Sequence, residues 1–214
     1  MSLEARKIRL IMELRQAGIG DTRVLSALER VPREKFVPPS FADRAYENAA
    51  LPLPHGQTIS QPYVVALMSQ ALEVGPRMKV LELGTGSGYQ AAVLSKLCRR
   101  VYTVERIRSL LREAERTFTE LRIYNITTLH ADGGRGWPEL APFERIMVTA
   151  AADEPPTELL DQLAEGGIMV VPMGRTGDDQ ELLQIRRSAA GFEEKTLSRV
   201  RFGPLIRDPK RQHN

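Results

Sequence analysis

The stretch Met78-Lys79-Val80-Leu81-Glu82-Leu83-Gly84-Thr85-Gly86-Ser87-Gly88-Tyr89-Gln90-Ala91-Ala92 decides the fold. It opens as a short apolar run, which reads as a buried strand. Three glycines at alternate positions then let the backbone turn tightly and come close to a ligand. From Gly88 to Leu97 the pattern is that of a helix. A strand, a glycine-rich turn and a helix in that order form the opening unit of an open parallel sheet. Ligands of such sheets sit beyond the carboxyl ends of the strands.

Downstream the alternation continues. Arg100 to Val104 predicts a strand, Arg108 to Arg122 a helix, Ile126 to His130 a strand and Phe143 to Thr149 another. Pro156 to Leu163 predicts a helix and Gly167 to Pro172 a strand. Strands alternating with helices imply a parallel sheet covered on both faces. Glu181 to Arg187 and Glu193 to Phe202 read as a hairpin turning at Ala189-Ala190-Gly191, which adds an antiparallel edge. Upstream, Pro62 to Leu72 predicts a helix that carries proline in its first turn. Ile8, Ile11, Met12 and Arg15 predict a first helix closed by Gly18, and Asp21 caps a second. Pro32, Pro38, Pro39, Pro52 and Pro54 break the remainder into short helices and a loop ending at Ile59-Ser60. The expected fold is α/β, a doubly wound, mostly parallel sheet with a helical N-terminal extension and a C-terminal antiparallel hairpin. Residues 1–60 are expected to form the extension and residues 61–214 a Rossmann-like domain, the two making one compact unit.

Composition narrows the function classes. With 42% hydrophobic and 27% charged residues the chain reads as a soluble globular protein. The net charge of +3 is dispersed, in small groups such as Arg99-Arg100 and Arg186-Arg187. A nucleic-acid binder more often shows one dense basic stripe, so no nucleic-acid partner is expected. Cys98 is the single cysteine, which fits a reducing compartment. The first residues carry no apolar core of a secretory signal, and no apolar run approaches a membrane span. A cytoplasmic monomer without a membrane or metal partner is the expectation.

Two carboxylates follow the glycine turn. Glu105 ends the second strand of the sheet, where an acidic side chain can accept hydrogen bonds from two vicinal ribose hydroxyls. Asp132 ends the third, within Ala131-Asp132-Gly133, where it can reach an adenine amino group. Each could instead be an ordinary solvated acid. The turn also departs from the dinucleotide fingerprint G-x-G-x-x-G, because its third glycine arrives one position early. Glu82 stands just before the turn, which holds no basic residue, whereas a pyrophosphate prefers an uncluttered helix N-terminus. S-adenosylmethionine carries a sulfonium and an ammonium and no phosphate. Nearby negative charge suits it, and the pattern favours that cofactor.

Several segments resemble the protein-L-isoaspartate O-methyltransferase family. They are Gly56-Gln57-Thr58-Ile59-Ser60-Gln61-Pro62-Tyr63, the run Val80 to Ala92, and Val101-Tyr102-Thr103-Val104-Glu105-Arg106. Asp132-Gly133, Gly136-Trp137-Pro138-Glu139, Ala141-Pro142-Phe143 and Val148-Thr149-Ala150-Ala151 continue the match in order. Gly166-Gly167 and Val171-Pro172-Met173-Gly174 with Gln180 complete it over nearly the whole chain. The resemblance implies a class I methyltransferase fold, S-adenosylmethionine as methyl donor, and S-adenosylhomocysteine as product. The implied substrate is an L-isoaspartyl (or D-aspartyl) residue of a damaged protein or peptide, methylated as the first step of repair. Ser60 matches the family's active-site serine. The implied cofactor-binding residues are Gln57, Thr58, Ile59, Ser60, Glu82, Gly84, Thr85, Gly86, Ser87, Gly88, Glu105, Arg106, Asp132, Gly133 and Thr149. Departures are Ala131 before Asp132-Gly133, where the family often has glycine, and the tail beyond Leu205, which matches weakly. Some members place a histidine at the position of Val65, so no contact is carried there.

A carboxylate is ionised at neutral pH, with an unperturbed pKa of about 4. Its methylation needs no general base, and a neutral thioether leaving group needs no general acid. The histidines fit that economy. His55 lacks the partners of a nucleophile pair, and His130 and His213 read as structural or solvated. Ser60 reads two ways, as a hydrogen-bond donor to substrate or cofactor and as the N-terminal cap of the following helix. The Gln57–Ser60 loop and the loop after Thr149 are the expected peptide-binding surfaces. Two alternatives stay open: a methyltransferase for another substrate, and a cofactor-binding interaction module without catalysis.

Overall fold

The structure is a computed structural model that describes residues 2–175 and 177–206. His213 and the end of the expected second part, residues 207–214, lie outside the described residues.

The glycine-turn unit forms as its sequence predicts. Strand β3 (Lys79–Leu83) runs into the turn, and helix α4 (Tyr89–Ser95) leaves it. Strands β4 (Arg100–Glu105), β5 (Ile126–His130) and β6 (Phe143–Val148) lie parallel to it. Strand β7 (Leu163–Met173) joins parallel to β6, then β8 (Gln180–Ser188) and β9 (Gly191–Val200) add antiparallel strands. The seven strands order as β5-β4-β3-β6-β7-β8-β9. The order reverses between β3 and β6, and a ligand crevice is expected at such a switch point.

Residue alternation buries both faces. Val80, Val101, Ile168 and Val170 point into one hydrophobic cluster, and their neighbours Leu81, Val104, Met169 and Val171 into the other. That is the period of two of a strand. Helix α5 (Arg108–Glu120) covers the first face together with α4. The extension packs there too. Its helices α1 (Leu3–Gln16) and α2 (Thr22–Arg30) send Leu10, Leu14, Val24 and Leu28 into the same cluster. Asp21 caps α2 as expected, its carboxylate accepting from Arg23 N at 2.9 Å.

Between α2 and the helix α3 (Pro62–Ala71), the prolines leave 3₁₀ turns at Arg33–Lys35, Pro39–Arg44 and Pro54–Gly56. They also leave a two-stranded ribbon that the sequence did not announce, β1 (Leu51–Pro52) against β2 (Thr58–Ile59). One expected helix is much shortened. Pro156 to Leu163 yields only α6 (Thr157–Leu160), because the carbonyl of Gln162 already accepts from Phe143 N at 2.8 Å. The sheet claims the chain where helical spacing alone would continue.

Candidate active site

A cleft of about 880 Å³ opens at the carboxyl ends of β3, β4 and β6. Its floor is the glycine turn. Gly84 has φ of +95°, and a Cβ there would lie 2.4 Å from Thr149 Oγ1 at the end of β6. Glycine is therefore required on both conformational and steric grounds. The Thr149 hydroxyl bonds the carbonyls of Leu83 and Gly84 at 2.8 and 2.7 Å, locking the turn to β6. At Gly88 a Cβ would meet the Phe118 ring at 2.7 Å, so this glycine lets α4 close on α5.

Glu105 enters the cleft from the end of β4. Its Oε2 accepts from Gly86 N at 2.9 Å and its Oε1 from Ile107 N at 2.8 Å. A carboxylate offers about four lone-pair sites, so two remain for a ligand after both amides are served. The backbone thus holds the carboxylate in place in advance.

Gln57, Thr58, Ile59, Ser60, Gly84, Thr85, Gly86, Ser87, Glu105, Arg106, Gly133 and Thr149 of the expected set line this cleft together. Glu82, Gly88 and Asp132 are not among its lining residues. Asp132 accepts from Gly134 N at 2.8 Å and caps a short turn, while its neighbour Gly133 reaches the wall. Glu82 is fully buried behind the turn. Its Oε2 accepts from Thr103 Oγ1 at 2.6 Å, and Thr103 in turn pairs with Thr85 Oγ1 at 2.7 Å. Burial, with the nearby Glu105 charge adding to it, pushes the Glu82 carboxyl up to about 8 against the pull of the Thr103 hydrogen bond. This acid anchors a cleft-lining threonine from the side away from the ligand.

Ser60 directly follows β2. Its side chain does not cap α3. Asn48 Oδ1 accepts from Tyr63 N at 3.0 Å, so the cap comes from the extension. The capping signal in the sequence was real, but another residue meets it. His55 bonds Ser109 on α5 at 2.7 Å, which ties down the loop before Ser60. Cys98 is buried and its thiol is pushed up to about 12 by that burial, which leaves it unreactive.

A second hollow adjoins the first. It shares Gln57, Thr58, Ser60, Thr149, Ala150 and Pro204 with the cleft and extends over Tyr63, Val64 and the Ser198–Gly203 segment. Both loops expected to bind peptide border it. Sequence reading did not find the tail. Gly203 O accepts from Ala151 N and Leu205 N donates to Ala151 O, each at 2.7 Å. That docking brings Pro204, Leu205 and Ile206 against the cleft. Tyr89, Gln90 and Val65 were also missed as lining residues. They lie near the starts of α3 and α4, and only the packing turns them toward the opening.

The sequence profile of the Protein-L-isoaspartate(D-aspartate) O-methyltransferase (PCMT) family matches residues 5–210. Protein-L-isoaspartate O-methyltransferase of Rhodospirillum centenum is 59% identical over 97% of this chain and 95% of its own length. The protein of the same name from Paramagnetospirillum magneticum is 63% identical over 95% of each. Among solved structures, a protein-L-isoaspartate O-methyltransferase superposes with a TM-score of 0.81 at 30% identity, covering 92% of this chain and 65% of that one. A Plasmodium falciparum structure described by the same activity, in complex with S-adenosyl-L-homocysteine, gives 0.80 at 26% identity, covering 94% and 98%.

Proposed function

The chain belongs to the protein-L-isoaspartate(D-aspartate) O-methyltransferase family, and we infer from this and from the cleft how its residues divide the work. It is an S-adenosylmethionine-dependent enzyme that methylates the free carboxylate of L-isoaspartyl residues in damaged proteins and peptides. D-aspartyl residues belong to the same proposal.

The observation that carries the assignment of roles is that two hollows meet at Ser60 and Thr149. One is built for the cofactor. Glu105 has lone pairs left for ribose hydroxyls, and the Gly84 to Gly88 turn presents bare backbone. The Val65, Tyr89 and Ile107 side chains supply apolar wall. The bound cofactor supplies an activated methyl group to the substrate carboxylate. The second hollow is the proposed path of the peptide. Extended peptides are commonly held through main-chain hydrogen bonds. That suits a substrate defined by an extra methylene in its backbone and not by a side chain.

Ser60 is the proposed donor that orients the substrate carboxylate at the junction. It needs no base, because the carboxylate is already ionised near neutral pH. The chain's contribution is positioning, and near-attack geometry supplies roughly 7–11 kcal/mol in well-oriented systems. The methyl ester then loses methanol to the neighbouring peptide nitrogen, giving a succinimide that opens partly to normal aspartate without enzyme. The proposed cofactor contacts are the cleft-lining members of the expected set, with Asp132 beside them and with Glu82 and Gly88 acting from behind. Residue 60 is read as the functional boundary, with the active-site loop before it and the cofactor-binding sheet after it. We further read the protein as a cytoplasmic monomer whose partners are its peptide substrates and not nucleic acid or membrane. Among the described residues no helix is long and apolar enough to cross a membrane.

Methyl transfer from labelled cofactor to an isoaspartyl peptide and to its aspartyl isomer tests the reading. The two peptides share composition and charge, so strong preference for the first is expected. Equal rates would leave a generic carboxyl methyltransferase, and no transfer would leave a binding module.

A further inference from the structure

Arg33 has no exposed surface and heads the fully buried side chains by size among the described residues. It lies in the extension, in the turn Arg33–Lys35, and does not line the cleft. Its Nε donates to the Ala45 carbonyl at 2.8 Å and its Nη2 to the Ser60 carbonyl at 2.9 Å. The guanidinium carbon stands 4.7 Å from the centroid of the Tyr89 ring. Tyr89 is the first residue after the glycine turn and lines the cleft. Nη1 has no hydrogen-bond partner, and no carboxylate pairs with Arg33 among the described residues.

A buried cation without an acid is costly. Packing alone would be served better by an aliphatic residue of similar volume. What arginine adds is a rigid planar fork that can bond in two directions and stack in a third. Here those three directions reach the extension, the Ser60 loop and the start of α4. We propose that Arg33 is the positioning residue that fixes the place of Ser60 in the wall of the cofactor cleft, relative to the glycine turn. The proposal rests on the reading of Ser60 as the substrate-orienting donor.

Nη2 fixes the carbonyl of Ser60, and stacking on Tyr89 references that carbonyl to the glycine turn. Nε ties both to the end of the Pro39–Arg44 turn. Lysine would keep the charge but could not serve both carbonyls and the ring at once. The Ser60 loop would then be released while the glycine turn and Glu105 stay in place. A misplacement of about 1 Å can cost on the order of a hundredfold in rate.

The test is a double-mutant cycle of Arg33→Lys and Ser60→Ala, read as kcat and KM for an isoaspartyl peptide. Melting temperature and calorimetric affinity for S-adenosylhomocysteine are measured alongside. Arg33→Lys should lower kcat by roughly tenfold to a hundredfold and leave the cofactor product bound with near-unchanged affinity. In the Ser60→Ala background the same change should cost less than about threefold, because interacting residues are not additive. An equal loss in both backgrounds, with Ser60→Ala itself impaired, overturns the role of Arg33 and leaves Ser60 in place. A full rate in Ser60→Ala alone removes Ser60 from the site, and the proposal with it. Should Arg33→Lys fail to bind S-adenosylhomocysteine, Arg33→Ala supplied with guanidinium ion takes its place, against sodium chloride at equal ionic strength. Restored turnover supports positioning. Absent restoration, or loss of the fold in both variants, makes Arg33 a folding residue only and overturns the proposal.

Discussion

At Glu105 two backbone amides each serve one carboxylate oxygen, so the side chain is fixed before any ligand arrives. Glu105→Ala should therefore weaken cofactor binding twice over, by removing the ligand's acceptors and by freeing the Gly86 and Ile107 amides. Hydrogen bonds to a charged group contribute about 1.5–3 kcal/mol each, so at least a tenfold loss of affinity for S-adenosylhomocysteine is expected by calorimetry. Glu105→Gln keeps one acceptor and should lose less. Unchanged affinity in the alanine variant would remove Glu105 from the site. Ser60→Ala is expected to lower turnover by roughly tenfold to a hundredfold, the effect of about 1–3 kcal/mol from one lost hydrogen bond. Residual activity should survive because both reactants still bind side by side. Its melting temperature should match that of the parent protein, since the hydroxyl caps nothing. A stoichiometric methyl group on Ser60, released on adding peptide and seen by mass spectrometry, would contradict the positioning role.

At the scale of elements, the start of α3 depends on a residue outside it. Pro62 has no amide to satisfy, and the next one, Tyr63 N, bonds the Asn48 side chain. Gln61 Nε2 also donates to the Asn48 carbonyl at 2.9 Å, so the extension grips the chain on both sides of Pro62. Asn48→Ala should cost about 1 kcal/mol of stability, the usual value of a lost cap, read as a lower denaturation midpoint. It should also raise KM for peptide, because Ser60 immediately precedes this junction. A variant with the parent's midpoint would show that water replaces the cap fully. The same region shows how far sequence carried the element assignments. The helix from Pro62 was legible because proline and an apolar period marked it. The source of its cap was not, because a hydrogen bond from a residue so far upstream leaves no local pattern.

For the molecule as a whole, the buried Glu82 carboxyl makes stability depend on pH. Its value rises from 4.5 to about 8, chiefly through burial. Between those values the unfolded chain releases this proton and the folded chain keeps it. The folded state then binds more protons, so stability falls as pH rises. The contribution is fully present below about pH 4.5 and is lost progressively as pH passes through about 8. The slope from this group is at most about 1.4 kcal/mol per pH unit. Glu82→Gln should flatten it, so the melting temperature of the variant should gain on the parent's from pH 5 to pH 8.5. A constant difference across that range would show that Glu82 does not carry a raised pKa. Thr85 should lose some of its order in the variant, since it hangs from Glu82 through Thr103.

The sequence by itself determined the sheet and the glycine-turn end of the cleft. Its signals are local there: an apolar run into Gly84, Gly86 and Gly88, and an acid at the end of the next strand. Local patterns set backbone conformation, and a switch point in a parallel sheet then places a ligand without further information. The tertiary structure decided what depends on contacts between distant segments. It put Arg33 beneath the Ser60 carbonyl, replaced Ser60 by Asn48 as the cap of α3, and cut α6 short where β6 claimed residue 162. It also laid Pro204 to Ile206 against the cleft and drew Glu82 behind it. Each of these follows from a buried donor, acceptor or charge finding its partner across the fold. Such partners are chosen by packing, and packing has no period that a linear reading can detect.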